Sequence, residues 1–150
     1  MKPEIYKYIF ELDFKVRDYE CDIQGIVNNA VYQNYLEHTR HEFLHSLNGD
    51  FATMHQNGID PVVIKSELEY KYPLRSGDVF VGRLPLQREN YVKFKFIEDV
   101  FVKLSDGSEK LCLKGIITCA VTMKGRPVKI NVLPEGILKF ISTGEDEQQK

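Results

Sequence analysis

The sequence predicts an α+β fold in which an antiparallel sheet buries one face on a single long helix. Two observations point there. One early segment spaces its apolar residues at the helical period, and everything after it alternates apolar and charged residues between short turns. A third is the length: 150 residues suit one domain whose core needs no disulfide or metal staple.

The elements follow in order. From Tyr6 to Val16 the even positions read Tyr6, Tyr8, Phe10, Leu12, Phe14 and Val16 while most odd ones are charged, the period of a half-buried strand. After a polar stretch around Arg17 to Gln24, and then Gly25, the spacing changes. Tyr32, Tyr35, Leu36, Thr39, Phe43 and Leu47 share one helical face. Asn28 and Asn29 stand where a side-chain oxygen caps free N–H groups, and Asn48-Gly49 reads as a stop, so the helix is expected from about Ala30 to Leu47. A connecting segment from Asp50 to Asp60 leads to a strand in which Val62, Ile64, Leu68, Tyr70 and Tyr72 oppose Lys65, Glu67, Glu69 and Lys71. Pro73 to Asp78 has turn composition, Val79 to Leu86 reads as a strand, and Arg88-Glu89-Asn90 as a turn. Val92 to Val102 and Leu111 to Met123 form a hairpin around Ser105-Asp106-Gly107-Ser108. The turn Lys124-Gly125-Arg126-Pro127 and a short helix over Pro134 to Ile141 close the domain. Long strands joined by short turns call for an antiparallel sheet curved around the helix. One helix leaves apolar sheet surface or a strand edge over, so a homo-oligomer is expected.

Charge narrows the function classes. The formal net charge of -2 equals that of the segment Gly144 to Lys150, with Glu145, Asp146, Glu147 and Lys150, so the body is near neutral and nucleic acid is a poor partner. We place the domain at residues 1–143 and an acidic flexible tail at 144–150. Cys21, Cys112 and Cys119 are odd in number and lack CxxC spacing, which argues against a disulfide framework. Glu4, Lys7 and Glu11 break the start of the chain, leaving no apolar signal core or membrane span. A soluble cytoplasmic protein with no membrane partner is expected.

The stretch Tyr19-Glu20-Cys21-Asp22-Ile23-Gln24-Gly25-Ile26-Val27-Asn28-Asn29-Ala30-Val31-Tyr32, followed by Tyr35-Leu36-Glu37, resembles the hotdog-fold thioesterases of the 4-hydroxybenzoyl-CoA thioesterase and YbgC-like group. It is also similar to the acyl-ACP thioesterases, whose motif reads towards Val-Asn-Asn with an aromatic soon after. The resemblance implies a curved sheet of about five to six strands around one central helix. It also implies hydrolysis of an acyl-CoA or acyl-ACP thioester by a homodimer or homotetramer without a cofactor. Carried over residue by residue, it makes Asp22 the catalytic acid and the Asn29 N–H the donor that polarises the carbonyl. Gly25, Val27, Tyr32 and Arg126 are then the substrate-binding candidates, with Glu37 supporting.

Elementary chemistry agrees with that spacing. A carboxylate in the loop just before a helix stands beside N–H groups that have no intrahelical acceptor, where the helix dipole favours negative charge. Thioester hydrolysis needs an activated nucleophile and donors for the developing oxyanion. Asp22 could activate water or attack directly, and the sequence leaves both open, with water activation the expectation. Coenzyme A phosphates call for cations, for which Arg88, Lys93, Lys95, Lys124, Arg126 and Lys129 are available, and the family resemblance, with its basic residues around the late turn, makes Arg126 the first choice. His38, His41 and His45 read as a solvated helix face rather than metal ligands, and Cys21 as an inert side chain without a base. Two other readings compete: a non-catalytic acyl-thioester-binding domain, and a hydroxyacyl-thioester dehydratase, which would want a His where this loop has Asp22.

Overall fold

The alternation read from the sequence becomes five long strands and three short ones in a computed structural model, which describes residues 7–47 and 50–142. The long strands are β1 (Phe10–Lys15), β2 (Ile59–Tyr70), β3 (Val79–Leu84), β5 (Lys93–Lys103) and β6 (Glu109–Met123). They lie in the spatial order β2, β6, β5, β3, β1, all antiparallel. The short strand β4 (Leu86–Arg88) continues the path of β3 along β5 beyond Pro85, and β8 (Ile141–Ser142) runs parallel to β4. Proline has no N–H to give the ladder, so the expected strand from Val79 to Leu86 is interrupted there. The third short strand, β7 (Arg126–Pro127), folds back on β6 through Lys124 and Gly125, both in the left-handed region at φ 51° and 81°.

Helix α1 (Asn29–His45) crosses the concave face of the sheet and buries Tyr32, Tyr35, Leu36, Thr39, Phe43 and Leu44. Its start carries the expected cap, with Asn28 Oδ1 accepting from the Ala30 N–H at 2.9 Å. The expected stop at Asn48-Gly49 lies outside the described residues, as does the tail 144–150. The helix sits low because the sheet offers glycines beneath it. A Cβ at Gly82 of β3 would stand 3.0 Å from Thr39 Oγ1, and one at Gly115 of β6 would stand 3.0 Å from Leu36 Cδ1. Buried Phe80, Phe94, Phe96, Leu113 and Ile117 meet the helix from the sheet side.

Two expectations are corrected. The segment Asp50 to Asp60, read as a connection, contains a short helix, α2 (Asp50–Gln56), because Met54 is buried in the core and pulls the segment onto the domain. Strand β2, read as cleanly alternating, shifts register between Val63 and Lys65 and leaves Val62, Val63 and Ile64 exposed. Among the described residues it pairs on one side only, with β6, so its other edge is open to them. The expected short helix near the end is α3 (Glu135–Leu138), inside the predicted Pro134 to Ile141.

Candidate active site

The loop ahead of α1 is a tight hairpin with Asp22 at its base. The Asp22 N–H donates to the Ile26 carbonyl at 2.8 Å, the Gly25 N–H donates back to the Asp22 carbonyl at 3.0 Å, and Cys21 bridges to Val27. Gly25 takes φ +79°, the left-handed residue that a three-residue hairpin of this kind requires. Asp22 Oδ1 accepts from the Gln24 N–H at 2.8 Å, an Asx turn that holds the side chain. Its other carboxylate oxygen has no hydrogen-bond partner among the described residues.

The loop is pinned to the segment after β2. The Val27 N–H donates to the Leu74 carbonyl at 2.8 Å, the Leu74 N–H donates to the Tyr32 hydroxyl at 3.1 Å, and Ile26 bridges to Arg75. The Asn28 N–H donates to the Glu20 carbonyl, and Glu20 in turn accepts from the Tyr35 hydroxyl. Asn29 is thereby held as the first residue of α1, a position with no intrahelical acceptor for its N–H.

Other predicted residues fall in different places. Val27 and Tyr32, expected to touch substrate, are only 3% and 4% exposed. They anchor the loop from the core rather than line it, and burial raises the Tyr32 hydroxyl above the usual tyrosine value. Glu37 is mainly exposed, 3.8 Å from His41. Arg126 pairs with Met123, which also pairs with Ile59 at the start of β2, whereas the Asn29 carbonyl accepts from the Tyr70 hydroxyl at the other end of β2. Eleven residues of strand separate those ends, about 36 Å, so Arg126 does not reach Asp22 within one chain. Tyr70 was missed as a site residue: the sequence marked it only as one strand aromatic among several, and its place against Tyr32 and Asn29 depends on the β2–α1 packing.

Of the three helix histidines, His38 packs its ring on Phe14, while His41 and His45 stand beside Glu37 and Glu42. No group of three or more His, Cys, Asp or Glu side chains suited to a metal ion occurs among the described residues. Burial pushes the Cys112 and Cys119 thiols up to about 11 and about 12, so neither supplies a thiolate near neutral pH.

Two cavities flank α1. One of about 840 Å³ lies between β1, the turn Arg17 to Glu20 and the Asn34 and His38 side of the helix. The other, about 390 Å³, lies between α1 and β2. Neither is lined by Asp22; the second includes Gln33, one turn along α1 from Asn29, and Ser66, four residues along β2 from Tyr70.

The comparisons with known proteins agree with this architecture. A family model described as the Thioesterase superfamily matches residues 24–88, which begin within the loop after Asp22 and run through α1 and β2 to β4. The chain is 38% identical over 120 residues to an acyl-acyl carrier protein thioesterase, ATL3, chloroplastic, of Arabidopsis thaliana, covering 80% of this chain. It spans only 62% of that relative's length. A hypothetical protein of Aquifex aeolicus with a solved structure is 31% identical, with TM-score 0.74 over 89% of this chain and 99% of that one. The 4-hydroxybenzoyl CoA thioesterase of a Pseudomonas species superposes with TM-score 0.75 over 87% and 97% of the two chains. Its 14% identity makes it a likeness of fold. No helix among the described residues is long and apolar enough to cross a membrane.

Proposed function

This chain belongs to the thioesterase superfamily, and from that membership and the geometry of the Asp22 loop we propose that it hydrolyses an acyl thioester to a free acid and a phosphopantetheine thiol. One observation carries the reading: a carboxylate with one unpartnered oxygen is fixed by an Asx turn in a pinned loop that ends at the first N–H groups of α1. The thioester carbonyl sits at the Asn29 N–H, where helix-end donors stabilise the oxyanion that forms as the carbon becomes tetrahedral. Asp22 accepts the proton of a water molecule that attacks that carbon, and the thiolate leaves. Direct attack by Asp22 would instead give an acyl anhydride that water then cleaves, with the same products. Gly25 lets the backbone turn close to the substrate, and Tyr70 flanks the carbonyl site.

The loop is exposed in the single chain, and an oxyanion site works best when water is excluded. The open edge of β2, with Val62, Val63 and Ile64 exposed, supports a homodimer in which two copies pair antiparallel. Such pairing brings the Ile59 end of one copy, and with it the turn carrying Arg126, to the Tyr70 end of the other. Arg126 then serves the neighbouring site as a phosphate contact, which it cannot do within its own chain.

The test is a free-thiol assay of the purified protein on a panel of acyl-CoA and acyl-ACP thioesters, with Asp22→Asn alongside. Turnover falling by at least ~100-fold in Asp22→Asn, with an unchanged circular dichroism spectrum, is the expected result. Near-normal turnover by the folded variant rules Asp22 out, and no turnover of any thioester by the wild type rules out hydrolysis in favour of an acyl-binding domain.

A further inference from the structure

The cavity between α1 and β2 has a polar floor that an unsubstituted acyl chain does not satisfy. Arg40 reaches into it with its side chain only 11% exposed. Its Nη1 donates to Glu98 Oε2 at 2.7 Å, and its guanidinium lies over the Phe96 ring, 5.9 Å from the centroid. Arginine carries five N–H donors. Nε and Nη2 have no hydrogen-bond partner among the described residues. Glu98, 1% exposed, is half-satisfied as well, since its Oε1 has no partner. The two free guanidinium nitrogens are accessible beside the cavity that Arg40 lines, where a ligand atom can pair them.

Resting on the thioesterase reading, we propose that this cavity receives the acyl chain and that Arg40 selects a chain bearing a neutral oxygen, an oxo or hydroxyl group, remote from the thioester. Position follows from the helix. Asn29 and Arg40 are eleven residues apart, about 16 Å along the axis, and a helical side chain leans back by about one turn, which leaves about 11 Å. A chain of about ten carbons reaches from the Asn29 N–H to the guanidinium on that 11 Å estimate. Neutrality follows from the neighbours: Glu37 and Asp60 also line the cavity and repel a carboxylate, while Gln33 and Ser66 are neutral polar groups.

The experiment compares three pantetheine thioesters of one length: decanoyl, ω-hydroxydecanoyl and the ω-carboxy analogue. We expect kcat/KM for the hydroxylated chain to exceed that for the plain chain by at least ~10-fold, mainly through KM, because only that chain gains a hydrogen bond from a charged donor. In the paired variant Arg40→Met with Glu98→Met, which removes the guanidinium and its buried carboxyl partner together, the ratio falls to about 1. Arg40→Lys, which loses the planar fork but keeps the charge, lowers it part of the way and serves if the double variant does not fold. Equal or better turnover of the plain chain by the wild type overturns the proposal, as does preference for the carboxylate or a ratio that survives loss of Arg40. Binding of ω-hydroxydecanamide and decanamide, read by calorimetry, separates the two readings. Tighter binding of the hydroxylated amide with no thioester turnover sinks hydrolysis and keeps the selectivity, and turnover with no difference in binding sinks the selectivity alone.

Discussion

Glu98 makes stability depend on pH in a direction opposite to that of a carboxylate held ionised by a salt bridge. Burial on β5 opposes its charge more than Arg40 favours it, and the carboxyl is pushed up from its ordinary 4.5 to about 8. The sign follows from proton counting. Between those values the folded chain keeps the Glu98 proton and the unfolded chain releases it. The contribution is therefore fully present below pH 4.5 and is lost as pH rises through about 8. Each pH unit in that window removes about 1.4 kcal/mol, and the whole interval at most about 5 kcal/mol. The perturbation is Glu98→Gln, which keeps shape and hydrogen-bonding capacity but cannot titrate. Urea unfolding of wild type and variant at pH 5, 6, 7 and 8 gives the difference in stability, from which titrations elsewhere in the chain cancel. We expect the wild type to lose about 1.4 kcal/mol per pH unit relative to Glu98→Gln across that range. A difference that stays flat, with the variant less stable throughout, would refute the reasoning. It would mean that Glu98 is already ionised and that the Arg40 ion pair outweighs the cost of burial.

Other predictions test the frame of the site. Tyr32→Phe leaves the buried Leu74 N–H without its acceptor, so it should cost about 1–3 kcal/mol in chemical unfolding and reduce turnover by loosening the Asp22 loop. Asn28→Ala removes the cap on α1 and should cost about 1 kcal/mol, with kcat falling more than KM rises if the helix end holds the oxyanion. Gly82→Ala pushes a methyl to 3.0 Å from Thr39 Oγ1 beneath the helix and should lower stability by about 1–3 kcal/mol, seen as a lower Tm. Val63→Lys on the open β2 edge should convert a dimer to a monomer in light scattering, and wild type that is already monomeric removes the proposed pairing.

Much of the fold was legible because its signals are local. The alternation of Phe94 and Phe96 with Lys93 and Lys95, and the spacing of Tyr32, Tyr35, Leu36, Thr39 and Phe43, depend only on which side chains face the core at periods of two and 3.6. The Asp22 hairpin is likewise local: Asp at the base and Gly three residues on close it, whatever the rest of the chain does. Strand pairing was less legible. The break at Pro85, the bulge at Ile64 and the parallel strand β8 each depend on a partner far away in sequence.

The chain by itself determined the class of fold, the cap at Asn28, and the placing of a carboxylate ahead of a helix, since each follows from residue type and short spacing. Only the tertiary structure decided that Val27 and Tyr32 are anchors, that Tyr70 stands at Asn29, and that Arg126 lies at the far end of β2. It also decided that Arg40 and Glu98, fifty-eight residues apart, share one buried hydrogen bond beside a cavity. The physical reason is common to all four. Whether a polar or aromatic side chain is core, contact or site is set by what the folded sheet brings against it, and no window of neighbouring residues contains that partner.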